Sequence, residues 1–504
     1  MKTTLIPSAK PLTAAIAFAI VCTACEGTKT ILDDTPPSNT YGGEGDVAEY
    51  CWATTAQIEP GAPGSGEWEP LAADAFADGS SVVAGRMFTG NSAVFGAGEP
   101  GEVDLDFAEI AGFAAKYDVN GDVVWALAVN GGVEWVAALS DGGILAAGMF
   151  DPEAPATTGE EEEDAVIARY DSTGSLLWVL NAAARLEWED GSSSGECNPA
   201  LGVGVFDDGS FIVAAAFTGE ITLGEGEANE TALSSGGPYM LGMYLARYTA
   251  AGELEWAVLA DTAAKPRSVA VRDDGGFAVL AEDNVLTYGP DGEPIWSAQL
   301  FCSDYNIDPR GFWTADHHLI VGSTFWVSLQ ITDSADASTV LYAPVETDGS
   351  ITVHAGAFAI AGFSPEGALS WATTTDNPDV DNCASMSGMD LASDGGIIIV
   401  GYLNGTVTFG AGGTNETALS AALPTDSFVA RYLVDGTLDW AKRFNPGADA
   451  ERFELAAIAA DEDGSYTVCG AFEGTIDLSL VEGETATFTA SPDTNQLVVT
   501  KICL

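Results

Sequence analysis

The sequence predicts an all-β chain folded as a seven-bladed β-propeller of four-stranded antiparallel blades, closed by an N-terminal strand that completes the last blade. Three observations predict it: two turn-centred elements that recur along the chain, and a C-terminus that lacks a strand the N-terminus supplies. The first element is an aromatic residue, three residues, Gly, three residues, Trp. It occurs six times, as Tyr117–Gly121–Trp125, Tyr170–Gly174–Trp178, Tyr248–Gly252–Trp256, Tyr288–Gly292–Trp296, Phe363–Gly367–Trp371 and Tyr432–Gly436–Trp440. β-rich segments on either side of a Gly turn read as a hairpin. The second element is Asp-Gly opening a β-branched or apolar run: Asp78-Gly79, Asp141-Gly142, Asp208-Gly209, Asp274-Gly275, Asp394-Gly395 and Asp463-Gly464, with Asp316-His317-His318 in the seventh place. These are hairpins too.

Each repeat therefore supplies four strands, which we letter a to d. Strands a and b flank the Asp-Gly turn; c and d flank the Gly-x-x-x-Trp turn. Four antiparallel strands recurring every ~65 residues fit a propeller blade, because one such sheet cannot bury both faces and a ring of them can. The third observation is at the ends. The chain finishes on Val498-Val499-Thr500-Lys501-Ile502, which matches strand c as in Phe428–Tyr432, and then stops without a Trp strand. Tyr50-Cys51-Trp52-Ala53 is the missing strand d. Insertions also repeat: Gly219–Gly224 and Gly405–Gly410 are each followed at the same offset by Asn-Glu-Thr-Ala-Leu-Ser, at 229–234 and 415–420.

The motifs Asp-Gly-x-x-x-Val-x-Gly, Gly-x-x-x-Phe-Gly and Phe-x-Ala-[Lys/Arg]-Tyr-x-x-x-Gly-x-x-x-Trp resemble the bacterial β-propeller repeats (SBBP-type) of secreted and surface lipoproteins. The resemblance covers residues 50–504. It implies the fold and a surface location, and says little about activity.

Of 504 residues, 75 are Asp or Glu and 17 are Lys or Arg, giving a formal net charge of −58. That field repels nucleic acid and excludes polymerases, repressors and RNA binders. The 47% hydrophobic content is that of a chain with a core, not of an acidic disordered tail. Residues 1–24 read as an export signal of the lipoprotein type. Lys2 and Lys10 precede an apolar run from Leu12 to Val21, too short to span a bilayer. Small residues then lead to Cys25, the expected lipid attachment site, although Cys22 stands where such boxes usually carry an aliphatic residue. Residues 25–49, rich in Pro, Gly and polar residues, are expected to be a flexible tether. The expected location is the bacterial cell envelope, facing the periplasm or the exterior and held to the membrane by lipid alone.

Setting aside Cys22 and Cys25 leaves six cysteines, whose pairing has fifteen solutions. One pair follows from alignment. Cys503 falls where Asp118 stands and Cys51 where Val124 stands, across the turn position, so Cys51–Cys503 is expected to staple the hairpin whose turn is absent. Cys197, Cys302 and Cys383 fall in d-to-a connections and Cys469 in a strand b; their pairing stays open, and no metal-site spacing links them.

Binding residues ride on long connections, and the b–c and d–a connections are expected to be long and to share one face. The candidate ligand-binding residues there are Trp188, Glu189, Asp190, Arg310 and Trp313. Asp376, Asp379 and Asp381 are the candidate Ca²⁺ ligands, though without the Gly and Glu spacing of an EF-hand loop. The repeated Trp is expected to be blade-to-blade core. Lys116, Arg169, Arg247, Arg431 and Lys501, all at one strand-c position, are expected to form a repeated structural ion pair. Sialidase-type and quinoprotein repeats fail on spacing, and no nucleophile elbow is present. The expected function is an envelope-anchored, monomeric module that binds a protein or carbohydrate, with no catalytic residue assigned and no cofactor other than the Ca²⁺ candidate. The alternative is a carbohydrate-active hydrolase or lyase using loop-face carboxylates.

Overall fold

A computed structural model describes residues 49–503, apart from 61–66, 89, 99–100, 108–109, 153–164, 183–200, 283, 302–309, 326–329, 334–338, 342–356, 377–382, 424–425, 445–446, 448, 480–484 and 491–493. Among the described residues every regular element is a strand. The strands fall into seven antiparallel a–b–c–d units of the propeller type.

Unit 1 comprises Glu67–Ala75, Ser81–Phe88, Ile110–Tyr117 and the first half of Val123–Ala138; unit 2 comprises the second half of that strand, Ile144–Asp151, Val166–Tyr170 and Leu176–Asn181. Unit 3 is Leu201–Val205, Phe211–Thr218, Leu241–Tyr248 and Leu254–Leu259; unit 4 is Pro266–Val271, Phe277–Ala281, Asn284–Tyr288 and Pro294–Phe301. Unit 5 is Arg310–Trp313, Leu319–Phe325, Ala357–Phe363 and Leu369–Thr374; unit 6 is Cys383–Leu391, Ile397–Asn404, Asp426–Tyr432 and Leu438–Arg443. Unit 7 takes Ala450–Ala460, Tyr466–Ser479 and Gln496–Cys503 from the end of the chain and Glu49–Pro60 from its beginning. Trp52 stands opposite Lys501 in that last pairing, and Cys51 is disulfide-bonded to Cys503 with Cα atoms 5.6 Å apart.

The strand-b segments are mostly apolar and buried, as in Ile397-Ile398-Ile399-Val400, because both faces of each sheet are covered. Seven clusters of buried side chains lie between units, and each draws on two neighbours. Val82, Trp125, Val136 and Ile144 join units 1 and 2; Leu145, Trp178, Phe211 and Tyr248 join units 2 and 3. Trp52, Leu497 and Val499 of unit 7 meet Val83, Phe113 and Tyr117 of unit 1 in the same way. Each fully buried Val, Leu, Ile or Phe contributes roughly 1.5–3 kcal/mol, so these interfaces hold most of the stability. The a strands of units 7 and 1, 1 and 2, 3 and 4, 4 and 5, 5 and 6, and 6 and 7 run side by side. Strand d is the far edge of each four-stranded unit, and in units 4 and 7 it pairs onward with Gln330–Asp333 and Gly90–Phe95.

Two expectations about the connections are corrected. Units 1 and 2 have no long d–a connection: Val123–Ala138 runs unbroken from one sheet into the next, with Asn130 paired to Ala111 on one side and Asp151 on the other. In unit 4 the b–c connection is a tight turn between Ala281 and Asn284, entered through Glu282 at φ 49°. Elsewhere the repeated insertions form two-stranded ribbons. In unit 3, Glu220–Leu223 pairs with Thr231–Ser234; in unit 6, Thr406–Phe409 pairs with Thr417–Ser420. The shared Asn-Glu-Thr motif is explained by bonding. Asn229 and Asn415 donate from Nδ2 to the carbonyls of Leu254 and Leu438 on strand d, and Glu230 and Glu416 accept the amides of Gly226 and Gly412.

Candidate functional site

The a–b and c–d turns share one end of the units, and the side chains there form a ladder between neighbours. Its first rung is the Trp of strand d, whose ring lies on the turn glycine of the next unit. Trp52 covers Gly121, Trp125 covers Gly174, Trp178 covers Gly252, Trp256 covers Gly292, Trp296 covers Gly367 and Trp371 covers Gly436. A methyl group at Gly121 would collide with the Trp52 ring, and the residue's φ of 75° excludes most side chains as well. The indole N–H of Trp52, Trp125 and Trp296 then donates to a turn carbonyl of that unit, Val119, Ser172 or Pro365, at 3.1 Å in each case.

The second rung is the strand-c cation, which crosses to the next unit at Lys116 and Lys501 and pairs within its own unit at Arg169, Arg247 and Arg431. Lys116 donates from Nζ to the Gly142 carbonyl of unit 2 at 2.9 Å and lies 3.7 Å from the centroid of the Phe76 ring. Lys501 repeats this at the junction of units 7 and 1, donating to the Gly79 carbonyl at 3.3 Å while its ammonium sits 3.3 Å from Asp461 Oδ2. Arg169 pairs with Asp141 at 2.5 Å, Arg247 with Glu255 at 3.1 Å, and Arg431 with both Asp394 and Asp439. Burial pulls the Lys116 ammonium below the ordinary lysine range, and the carboxylates of Asp78 and Asp141 oppose that. Asp78 itself is held low by the hydroxyl and amide of Ser80.

The ladder changes between units 4 and 5. Thr287 and Gly362 occupy the cation position. Arg272, the residue after strand a of unit 4, takes over, 2.6 Å from Asp274 and 4.9 Å from the Trp313 ring. His317 stands in the turn at φ 62°, where the other six turns have Gly, and its Nδ1 is 4.0 Å from Asp274 Oδ2.

A second group of acids stands in or next to the a strands. Asp74 accepts the amides of Ala75 at 2.8 Å and, from unit 2, Ala138 at 2.7 Å. Asp390 repeats the arrangement with Leu391 at 2.8 Å and Ala460 of unit 7 at 2.7 Å. Both stand at one register position, opposite Val82 and Ile398 respectively. Desolvation pushes Asp74 up to about 7, reinforced by the negative charges of Asp390 and Asp461. Desolvation likewise raises Asp390 and Asp461 to about 6, with Lys501 opposing the rise at Asp461. Three protonatable carboxylates thus lie in consecutive units 6, 7 and 1. Two of them bind neighbouring backbone with both oxygens, and the third is paired with a lysine. Between units 1 and 2, Arg86 of strand b also pairs with Glu134, the extra residue of a β-bulge in strand a.

The structure separates the residues singled out from sequence. Arg310 and Trp313 lie in strand a of unit 5, not in a long connection; Trp313 is 9% exposed, and its Nε1 donates to the Ala270 carbonyl of unit 4 at 3.2 Å. Asp376 is half-buried, and its backbone bridges to Thr408 at the foot of the unit 6 ribbon. Cys383 opens a strand a and Cys469 is buried in a strand b; both are free thiols, and burial pushes Cys469 up to about 12. Trp188, Glu189, Asp190, Asp379, Asp381, Cys25, Cys197 and Cys302 lie outside the described residues. Among the described residues no three His, Cys, Asp or Glu side chains converge as a metal set. Sequence reading missed Asp74 and Asp390. Their signal was an acid near the end of strand a, at the position where other units have Ala137, Gly204, Ala270, Phe312 and Ala459.

No protein-family model matches the chain, and no curated protein matches it. Among solved structures, the WD40 domain of Pan2 from Neurospora crassa is similar at 8% identity with a TM-score of 0.40, covering 89% of this chain and 95% of that one. Streptogramin B lyase is similar at 10% identity and a TM-score of 0.38, covering 89% and 98%. A Bacteroides caccae protein of unknown function is similar at 13% identity and a TM-score of 0.31, covering 61% and 82%.

Proposed function

We propose that the chain is an exported, lipid-anchored, seven-bladed propeller of the SBBP type that serves as a binding module at the cell envelope. The seven inter-unit clusters support a closed ring, since they link each unit to the next and unit 7 back to unit 1. The observation that carries the functional reading is the contrast between the two ends of the units. On the turn end, the strand-d Trp rings and the ammonium groups of Lys116 and Lys501 reach into the next unit, while Arg169, Arg247 and Arg431 are paired with carboxylates of their own units. The connections from Asp151 to Val166, Asn181 to Leu201, Phe301 to Arg310 and Leu341 to Ala357 leave from the other end, and their lengths and sequences differ from unit to unit. A rigid frame with variation gathered on one face is the arrangement of a recognition protein. Cys25 is the lipid-bearing residue, and the module is a monomer acting on a protein or carbohydrate ligand.

Two measurements test this. Mass spectrometry of the membrane fraction is expected to find the mature N-terminus at an acylated Cys25, and Cys25→Ala to release the protein; an unmodified N-terminus elsewhere counts against anchoring. A soluble form beginning at residue 26 is expected to retain glycans or envelope proteins on an array, with retention lost when residues 183–200 and 302–309 are replaced by Gly-Ser. Retention that survives both replacements would move the binding face away from these connections.

A further inference from the structure

We propose that closure of the ring is governed by oxidation: the Cys51–Cys503 bond turns a reversible seam into a permanent one, and reduction reopens that seam alone. The proposal rests on the closed-ring reading above. In unit 1 strands c and d are joined by a tight turn, with the Asp118 amide donating to the Asp122 carbonyl and the Gly121 amide to the Asp118 carbonyl. The equivalent turns of units 2 to 6 bond alike. In unit 7 strands c and d are not consecutive in the chain. Its strands c and d come from cysteines separated by 452 positions, and the disulfide spans the gap where the turn would be. Cys51 occupies a bulge between Tyr50 and Trp52, matching Val124 between Val123 and Trp125, and Cys503 follows Ile502 as Asp118 follows Tyr117.

Without the bond, strand Glu49–Pro60 is held by its ladder to Gln496–Cys503, its pairing with Gly90–Phe95, the Thr500 hydroxyl donated to the Trp52 carbonyl at 2.6 Å, and the seats of Trp52 on unit 1 and of Tyr50 against Phe444. Docking it must close a loop of nearly the whole chain, which costs entropy that no local turn offsets. Undocked, it leaves Leu497, Val498 and Val499 on an open sheet edge. Both cysteines are half-buried rather than enclosed, so a small thiol reagent can reach the bond. Closure removes two protons and two electrons from the thiols of Cys51 and Cys503, and an oxidant of the disulfide class takes the electrons and becomes two thiols. A dithiol reverses the step by becoming a disulfide itself.

Amide hydrogen exchange with peptide-level mass spectrometry tests this on the oxidised protein, on the same protein reduced with dithiothreitol, and on Cys51→Ser and Cys503→Ser. In the oxidised protein, residues 50–56 and 497–502 are expected to be protected. On reduction, and in either variant, exchange there is expected to quicken at least tenfold, while 144–151 and 397–404 keep their rates. Unchanged rates at the seam, or equal quickening everywhere, would overturn the proposal. Absent protection at 50–56 in the oxidised protein would instead overturn the closed-ring reading. Should a variant fail to fold, chemical reduction of the folded protein gives the same measurement.

Discussion

The junction between units 7 and 1 and the junction between units 4 and 5 solve one packing problem with different parts. Both seat a strand-d Trp on the turn glycine of the next unit, Trp52 on Gly121 and Trp296 on Gly367, with the indole N–H on a turn carbonyl. Beyond that they diverge. The first has Lys501 reaching Asp461 and the Gly79 carbonyl; the second has Thr287 in its place, with Arg272 against Asp274 and the Trp313 ring. The apolar contact is therefore the fixed component of the interface and the cation the replaceable one. That ordering follows from magnitude. A buried Trp carries several kcal/mol of transfer free energy, whereas a buried ion pair gains little over apolar groups of the same shape.

The comparison can be broken in four places. The largest effect is expected from Trp52→Ala, which removes a 3% exposed ring and leaves Gly121 uncovered, at a cost of about 3–5 kcal/mol. Trp296→Ala should cost less because its ring is half-buried, and chemical denaturation that ranks the two the other way would reverse the order proposed here. Next, Lys501→Met leaves the Asp461 carboxylate buried without its partner and is expected to cost about 3 kcal/mol at neutral pH. Lys501→Met combined with Asp461→Leu should recover most of that loss, as a double-mutant cycle would show.

A pH effect comes third. Asp74, Asp390 and Asp461 have folded-state values of about 7, 6 and 6, above the ordinary carboxylate value. The folded chain therefore binds protons more tightly than the unfolded chain between about pH 4 and pH 7. These groups make stability rise as pH falls through that window and decline as pH rises through it, the reverse of the usual carboxylate case. Thermal melts of wild type and Asp74→Asn from pH 8 to pH 5 are expected to show a steeper gain on acidification for wild type, and equal slopes would remove Asp74 from the account. The smallest effect is expected from His317→Gly, which relieves a positive φ in the one turn that lacks Gly and should stabilise by up to about 1 kcal/mol. A destabilised His317→Gly would show that its contact with Asp274 outweighs the backbone cost.

Much of this architecture was readable because it is local and repeated. The Gly-x-x-x-Trp and Asp-Gly spacings mark hairpins by turn chemistry, and the alignment of strand c on Val498–Ile502 locates both the closing strand and its disulfide. What was not readable depends on neighbours distant in sequence. No local signal marks Val123–Ala138 as one strand serving two sheets, because Gly131 and Gly132 look like a turn. Nothing in the spacing tells that Trp313 would meet Ala270 and Arg272 across a unit boundary instead of facing solvent. Asp74 and Asp390 depend on amides presented by another unit, which a single strand's sequence does not contain.

The position of Cys51 near the start of the closing strand has a mechanical consequence. Strand Glu49–Pro60 runs antiparallel to Gln496–Cys503, so tension applied from the N-terminal side pulls along the strand and loads its backbone bonds in shear. The covalent link at Cys51 takes that load after only the Glu49 and Tyr50 pairs and diverts it into Cys503, leaving Trp52 and the pairs beyond it slack. A pull from that side would then be held by a sulfur bridge, with the hydrogen-bonded rows behind it relieved of the strain.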